Sequence, residues 1–207
     1  ASHYLSGAIA ALKEKDPHAK VAIVYSDDPF SKAVATAAIK QAKEAGLDVV
    51  MSTSYDPSTT DFGPIVNKIV SSGADAFLGG GHYADGATLA RQMHEQKANM
   101  KFMSILVAPS DNKFATLGAA ALGVTFPSQW EPHVAYKPQF GPTVPEFIKA
   151  FEAKYHMVPD YHAASGYAVG LILQHAIETA GSLDTKKVAA ALNKMDVTTF
   201  FGPMKLA

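Results

Sequence analysis

Apolar and polar positions along this chain alternate in short blocks whose period keeps changing. VAIVYS (21–26), LDVVMST (47–53), ADAFLGG (74–80), KFMSILV (101–107) and residues 119–126 are apolar runs too short for helices, and they read as five strands. Between them the apolar residues recur at helical spacing, from Asp28-Pro29 to about Ala45, over about 61–72 and over 84–97. The punctuation agrees with this reading. Asp28 is an N-cap followed by a proline in the first turn, and Gly46 and Gly73 stand where helices stop. Strands that are apolar on both faces and separated by helices predict an α/β fold, a parallel sheet covered by helices on both faces.

After Phe126 the texture changes. PSQWEPHVAYKPQFGPTVP carries five prolines and the single tryptophan, and reads as an ordered crossover. Helices are predicted at 143–155, 160–180 and 184–194, with Asp160 and Asp184 as N-caps, and TTFFGPMKLA as a last strand. In the middle helix, apolar residues from Ala163 to Ala180 cover nearly the whole circumference. A helix of that kind is buried on several sides. Two neighbouring helices and one strand are too little to bury it, so a further packing partner is expected, or self-association through residues 145–180.

Composition narrows the chemistry. A net charge of −1 supplies no basic field for nucleic acid and no polybasic segment for a membrane surface. No apolar run approaches the ~18–20 residues of a bilayer span, so no membrane insertion is expected. The absence of cysteine removes disulfides, thiol nucleophiles and zinc–cysteine sites, and the eight histidines lack ligand spacing, so no metal is expected. The opening ASHYLSGAIAALKEKDPHAK lacks the features of a signal peptide; either the chain is not exported or it begins after processing or truncation. Asp61-Phe62-Gly63 matches a kinase triplet in letters only, and no G-x-S-x-G elbow is present. Asp27 and Asp28 read as an N-cap with a solvated neighbour more readily than as an acid/base pair. No catalytic residue and no cofactor is expected.

Gly79-Gly80-Gly81-His82-Tyr83-Ala84 fits the dinucleotide pattern G-x-G-x-x-G/A. It lies on the third strand, however, and no acidic residue ends the fourth, so a glycine turn that admits close approach is the favoured reading. Strand ends are where open parallel sheets bind ligands. The residues there are Phe30, Gly81, His82, Tyr83 and Leu106, with Tyr161 and His162 opening the long helix and Trp130 in the crossover. Together they describe a mostly apolar small-molecule cleft with a few polar groups.

KVAIVYSDDPFSKAVATAAIKQAKEAGLDVV, YDPSTTDFGPIVNKIVSSGADAFLGGGHYADGATLARQM and FIKAFEAKYHMVPDYHAASGYAVGLILQHAIETAGSLD resemble type I periplasmic solute-binding proteins. The resemblance is to the leucine/isoleucine/valine-binding branch that serves ABC importers, and it covers essentially the whole chain. It implies two Rossmann-like lobes closing on a solute. Residues 1–122 would be lobe two, 123–134 a hinge crossover, 135–195 helices of lobe one and 196–207 a returning strand, with most of lobe one absent. It further implies that Phe30, His82 and His162 fall at aromatic contacts to the solute, with Tyr83 and Tyr161 beside them and Gly79 to Gly81 letting solute and backbone approach. In amino-acid-binding relatives a strand-four glutamate holds the ammonium, and Leu106 stands at that position here. The implied function is a periplasmic or lipid-anchored extracellular receptor, delivering an amino acid or a related carboxylate or amide to the membrane subunits of an importer. Two other functions stay open on the residues alone: a nucleotide-dependent enzyme on a doubly wound sheet, and the ligand-sensing domain of a regulator or chemoreceptor.

Overall fold

The apolar runs of the first half assemble into one parallel sheet, because strands without a polar face must be covered on both sides. The computed structural model describes residues 2–206; Ala1 and Ala207, the outermost positions of the boundaries read from the sequence, lie outside the described residues. Two compact units are present, Ala1–Pro127 and Ser128–Ala207. The division falls inside the 123–134 segment.

In the first unit β1 (Lys20–Ser26), β2 (Asp48–Tyr55), β3 (Ala76–Gly80), β4 (Phe102–Ile105) and β5 (Val124–Thr125) form a sheet of order β2-β1-β3-β4-β5. Every neighbouring pair is parallel. The period of two along β1 sorts its residues between two cores. Val21 and Ile23 pack with Leu5, Ile9 and Leu12 of the N-terminal segment and with Val34, Ala35 and Ala38. These come largely from α1 (Ser6–Lys15) and α2 (Pro29–Glu44). Ala22 and Val24 pack on the other face with Phe62, Val66, Ile69, Leu89 and Met93, where α3 (Gly63–Ser71) and α4 (Tyr83–Glu95) lie. Burying a large apolar side chain stabilises by about 1.5–3 kcal/mol, so these two clusters dominate the stability of the unit.

Two elements differ from expectation. Residues 119–126 are not a full strand: Asn112–Ala121 winds as 3-10 turns broken at Gly118 (φ 58°), leaving β5 two residues long. An Ala/Gly-rich stretch has few branched side chains to favour a pleated strand. The predicted last strand is an antiparallel hairpin of β6 (Asp196–Thr199) and β7 (Gly202–Lys205). Phe200 and Phe201 make its turn, and Gly202 takes φ 133°, which only glycine adopts readily.

The second unit also contains α5 (Val144–Tyr155), α6 (Tyr161–Ala180) and α7 (Thr185–Leu192). Trp130 is 2% exposed. Its Nε1–H donates to the Phe200 carbonyl at 3.2 Å, and its ring meets Phe147 edge-on at 5.8 Å. Along α6, Ala164, Ala168, Ile172 and Ala176 form one buried stripe, four residues apart. Tyr167, Val169 and Leu173 are 47%, 61% and 48% exposed. The neighbouring elements thus cover only one side of α6 and leave the rest of its apolar circumference open, where a further packing partner was expected from the sequence.

Candidate functional site

β2 and β3 flank β1, so the chain leaves β1 in one direction and returns on the other side. That makes the carboxyl ends of β1 and β3 a topological switch point, where crossovers diverge and leave a crevice. Asp27, Asp28 and Phe30 follow β1 there, and Gly81, His82 and Tyr83 follow β3.

Asp28 caps α2. Its Oδ1 accepts from the Phe30 and Ser31 N–H groups, both at 3.0 Å, and its Oδ2 accepts from the Ser31 hydroxyl at 2.7 Å. Burial pushes its carboxyl up, but the Ser31 N–H, the Ser31 and Ser26 hydroxyls and the neighbouring His82 ring prevail and hold it below the usual aspartate value. His82 Nε2 lies 3.5 Å from Asp28 Oδ2. The Phe30 ring stands between Tyr4, edge-on at 5.3 Å, and His82, tilted at 6.0 Å. Asp27 pairs with Lys32 at 2.6 Å, both groups about half exposed, so the two aspartates work separately.

The glycines serve the protein's own packing. A Cβ at Gly79 would lie 1.9 Å from the Val24 carbonyl oxygen, and the residue adopts φ 138°. A Cβ at Gly81 would lie 2.3 Å from Asp85 Oδ2 and 2.7 Å from Ser26 Cβ. Strand–strand and turn–strand contact thus account for both, where the sequence suggested room for a ligand. Tyr83 is half-buried against the core on the α3–α4 face, and His82 is the exposed side chain of the turn.

Leu106 departs from expectation most clearly. It is 1% exposed and belongs to the core on the α1–α2 face, so its side chain contributes no surface to the strand ends. Its N–H donates to the Gly79 carbonyl at 2.8 Å, and its own carbonyl accepts from Ala108 in a tight turn around Val107. Val107 has φ 36°, a costly conformation for a β-branched residue. In the second unit Tyr161 is buried in the cluster of Trp130 and Phe147, and it stacks on His162 at 3.9 Å. His162 is the exposed member, 3.8 Å from Asp160, whose carboxylate accepts from Ala163 N–H. Trp130 is core, not site.

Sequence reasoning missed a buried polar group under the turn. Asp85 accepts from the Tyr55 hydroxyl at 2.6 Å, the His82 N–H at 2.7 Å and the Gly86 N–H at 2.9 Å. Burial and this bond push the Tyr55 hydroxyl's pKa far above the usual tyrosine value. The Ser26 hydroxyl, on a residue 1% exposed, is aimed at the Asp28 carboxylate and helps to lower its pKa, without reaching full hydrogen-bond geometry. The available signal was an acidic residue three positions after His82, where a helix's first turn takes one. Among the described residues no group of three acidic or histidine side chains could hold a metal, and no helix is long and apolar enough to cross a membrane. Asp61 accepts from Gly63 N–H at the start of α3, which accounts for the kinase-like triplet.

Residues 1–207 match the family model described as periplasmic binding protein. The chain belongs to the periplasmic binding protein family. Among its members it is similar to Leu/Ile/Val-binding protein homolog 7 of Brucella suis, 26% identical over 182 residues, covering 86% of this chain and 45% of that protein. Homolog 3 of Brucella melitensis is 27% identical over 175 residues, with coverage of 84% and 46%. This binding-protein chain spans about half the length of the curated relatives it matches. Among solved structures it superposes on LivJ of Streptococcus pneumoniae, determined with isoleucine, with a TM-score of 0.83 at 19% identity, covering 100% of this chain and 57% of that one. A solute-binding protein of an ABC transporter from R. palustris, determined with benzoate, gives 0.82 at 17%, covering 100% and 56%. The parallel sheet with helices on both faces is the type I fold of these binding proteins.

Proposed function

We propose that this chain is part of a solute-binding receptor for an ABC importer, and that it binds a small organic solute at the carboxyl ends of β1 and β3. The observation that carries the reading is the meeting of Phe30 and His82 at the switch point of a binding-protein fold. Residues 1–122 would act as lobe two, 123–134 as the hinge and 135–195 as helices of lobe one, with 196–207 returning and His162 and its neighbour Tyr161 serving the lobe-one side. The receptor works in the periplasm, or lipid-anchored outside the cell, and its macromolecular partners are the importer's membrane subunits. On this reading it performs no turnover, and Asp28 serves to cap α2 rather than to activate a nucleophile.

The solute is a small carboxylate, amide or aromatic acid. Among the described residues at these strand ends no carboxylate stands uncommitted for an ammonium: Leu106 is apolar, Asp27 pairs with Lys32, and both oxygens of Asp28 accept hydrogen bonds from the start of α2. An ammonium buried without a counter-charge is costly. One structural relative holds benzoate and another holds isoleucine, so these two compounds bracket the choice. Calorimetry on the full-length protein should find benzoate or a related acid binding more tightly than isoleucine or leucine, and His82→Ala should weaken that binding about tenfold or more. Micromolar leucine binding with no tighter partner would overturn the solute class. Thermal protection by NAD or ATP would overturn the receptor reading.

A further inference from the structure

The turn that presents His82 is held from below by a residue of a strand that does not carry it. Tyr55 ends β2, whereas the turn follows β3, and β1 runs between them. The Tyr55–Asp85 bond therefore bridges the end of β1, over Ser26. We propose that Tyr55 and Asp85 are positioning residues, a buried pair that fixes the Gly80–Tyr83 turn so that His82 meets the solute. The proposal rests on the receptor reading only for what His82 touches.

Three observations support it. First, Asp85 is 8% exposed, yet its carboxylate takes three donors, and capping α4 needs only the backbone ones. An exposed acid in the first turn would serve the helix as well without a buried charge. Second, Gly81 leaves no room for a side chain, because its Cβ would meet Asp85 Oδ2, Ser26 Cβ and, at 3.2 Å, the Tyr55 hydroxyl. Glycine, aspartate and tyrosine are thus matched to one another across three segments of chain. Third, the Tyr55 ring is itself held, edge-on to buried Phe62 at 4.9 Å. The donor is thus held by the core independently of the turn, which is what preorganisation of a binding loop requires.

The test compares Tyr55→Phe, Asp85→Asn and Asp85→Leu in the full chain, at a temperature where every variant is folded by circular dichroism. Two readings are taken: hydrogen exchange at the His82 amide relative to Leu78 in β3, and calorimetry with benzoate and with isoleucine. In Tyr55→Phe the His82 amide should exchange about tenfold faster and affinity should fall about tenfold, with Leu78 unchanged. Asp85→Asn, whose side-chain oxygen still accepts from the His82 and Gly86 N–H groups, should retain much of the protection and the affinity of the unaltered protein; Asp85→Leu should lose both. A purely structural bond would shift the melting temperature and leave the affinity of the folded protein unaltered, which overturns the proposal, as does unchanged His82 exchange in Tyr55→Phe. If neither compound binds the unaltered protein, the receptor reading fails at that step, and the exchange measurement still decides whether the pair fixes the turn.

Discussion

The two units of this chain treat their apolar residues differently. Among the described residues eleven large apolar side chains are left exposed: Val70 and Leu122 belong to the first unit, and the other nine, from Tyr136 to Leu206, to the second. The first unit encloses two clusters, one on each face of a sheet whose central strands are almost wholly buried. The second gathers smaller clusters around Trp130 and Ile172 and leaves one face of α6 uncovered. A parallel sheet supplies two apolar faces and recruits helices to both, so it closes on itself. A helix that is apolar all round demands more neighbours than two helices and a hairpin offer.

The largest expected effect tests whether the first unit stands alone. Gly79→Ala forces a methyl against the Val24 carbonyl at a φ that alanine avoids, and should destabilise that unit by at least ~3 kcal/mol. Because the single tryptophan lies in the second unit, urea unfolding can be followed for each separately. The circular-dichroism midpoint should fall while the Trp130 emission midpoint holds; equal shifts would mean one cooperative block. A smaller effect concerns the uncovered face. The 207-residue chain should self-associate in light scattering as concentration rises, since Tyr167, Val169 and Leu173 form an exposed apolar surface beside Gly166 and Gly170. Leu173→Glu should raise the dissociation constant about tenfold, which is ~1.4 kcal/mol. A clean monomer at high concentration would show that this face needs no cover.

The smallest effect belongs to the site's cap. Asp28→Ala should cost about 1 kcal/mol in denaturant, and Asp28→Asn only a few tenths, because asparagine caps equally well. The pH profile sharpens this. The carboxyl of Asp28 is depressed in the folded protein, so its charge stabilises above the unfolded value of about 3.9, and that contribution is lost as pH falls through the lower folded value. Asp28→Asn should flatten that acid limb; a limb unchanged in the variant would assign it to other carboxylates.

Much of the first unit is legible in the sequence because its signals are local and agree. Asp28, Asp160 and Asp184 cap helices as their spacing implies, and Gly46 and Gly73 follow helix ends with positive φ. The 3-10 turns before β5 were hidden because LGAAALGV has no clear period of either kind. The hairpin was hidden because TTFFGPMK is apolar enough to read as one strand, with Gly202 the lone hint of a turn. The site was half legible. Phe30 and His82 lie at strand ends, which the βα alternation reveals, and they come together. Tyr55 and Asp85 depend on β2 and β3 being brought to either side of β1, a fact of topology that no spacing along the chain encodes. Leu106 misled for a related reason: the strand's last residues were read as surface, but the tight turn at Val107 leaves Leu106 facing the core.

The ends of the sheet also bear on how this protein avoids its neighbours in a crowded compartment. One border strand, β5, is two residues long, too short to template an incoming strand. The other, β2, runs eight residues, but its pairing with β1 slips between Val21 and Ala22, and Asp48, Ser52 and Ser54 are exposed along it. An edge that is bulged and polar offers poor registry to a foreign chain. Whatever stickiness accompanies this sheet should therefore come from side chains elsewhere, above all on α6, giving assemblies that dissolve on dilution, and not from backbone pairing along its borders that grows into fibres.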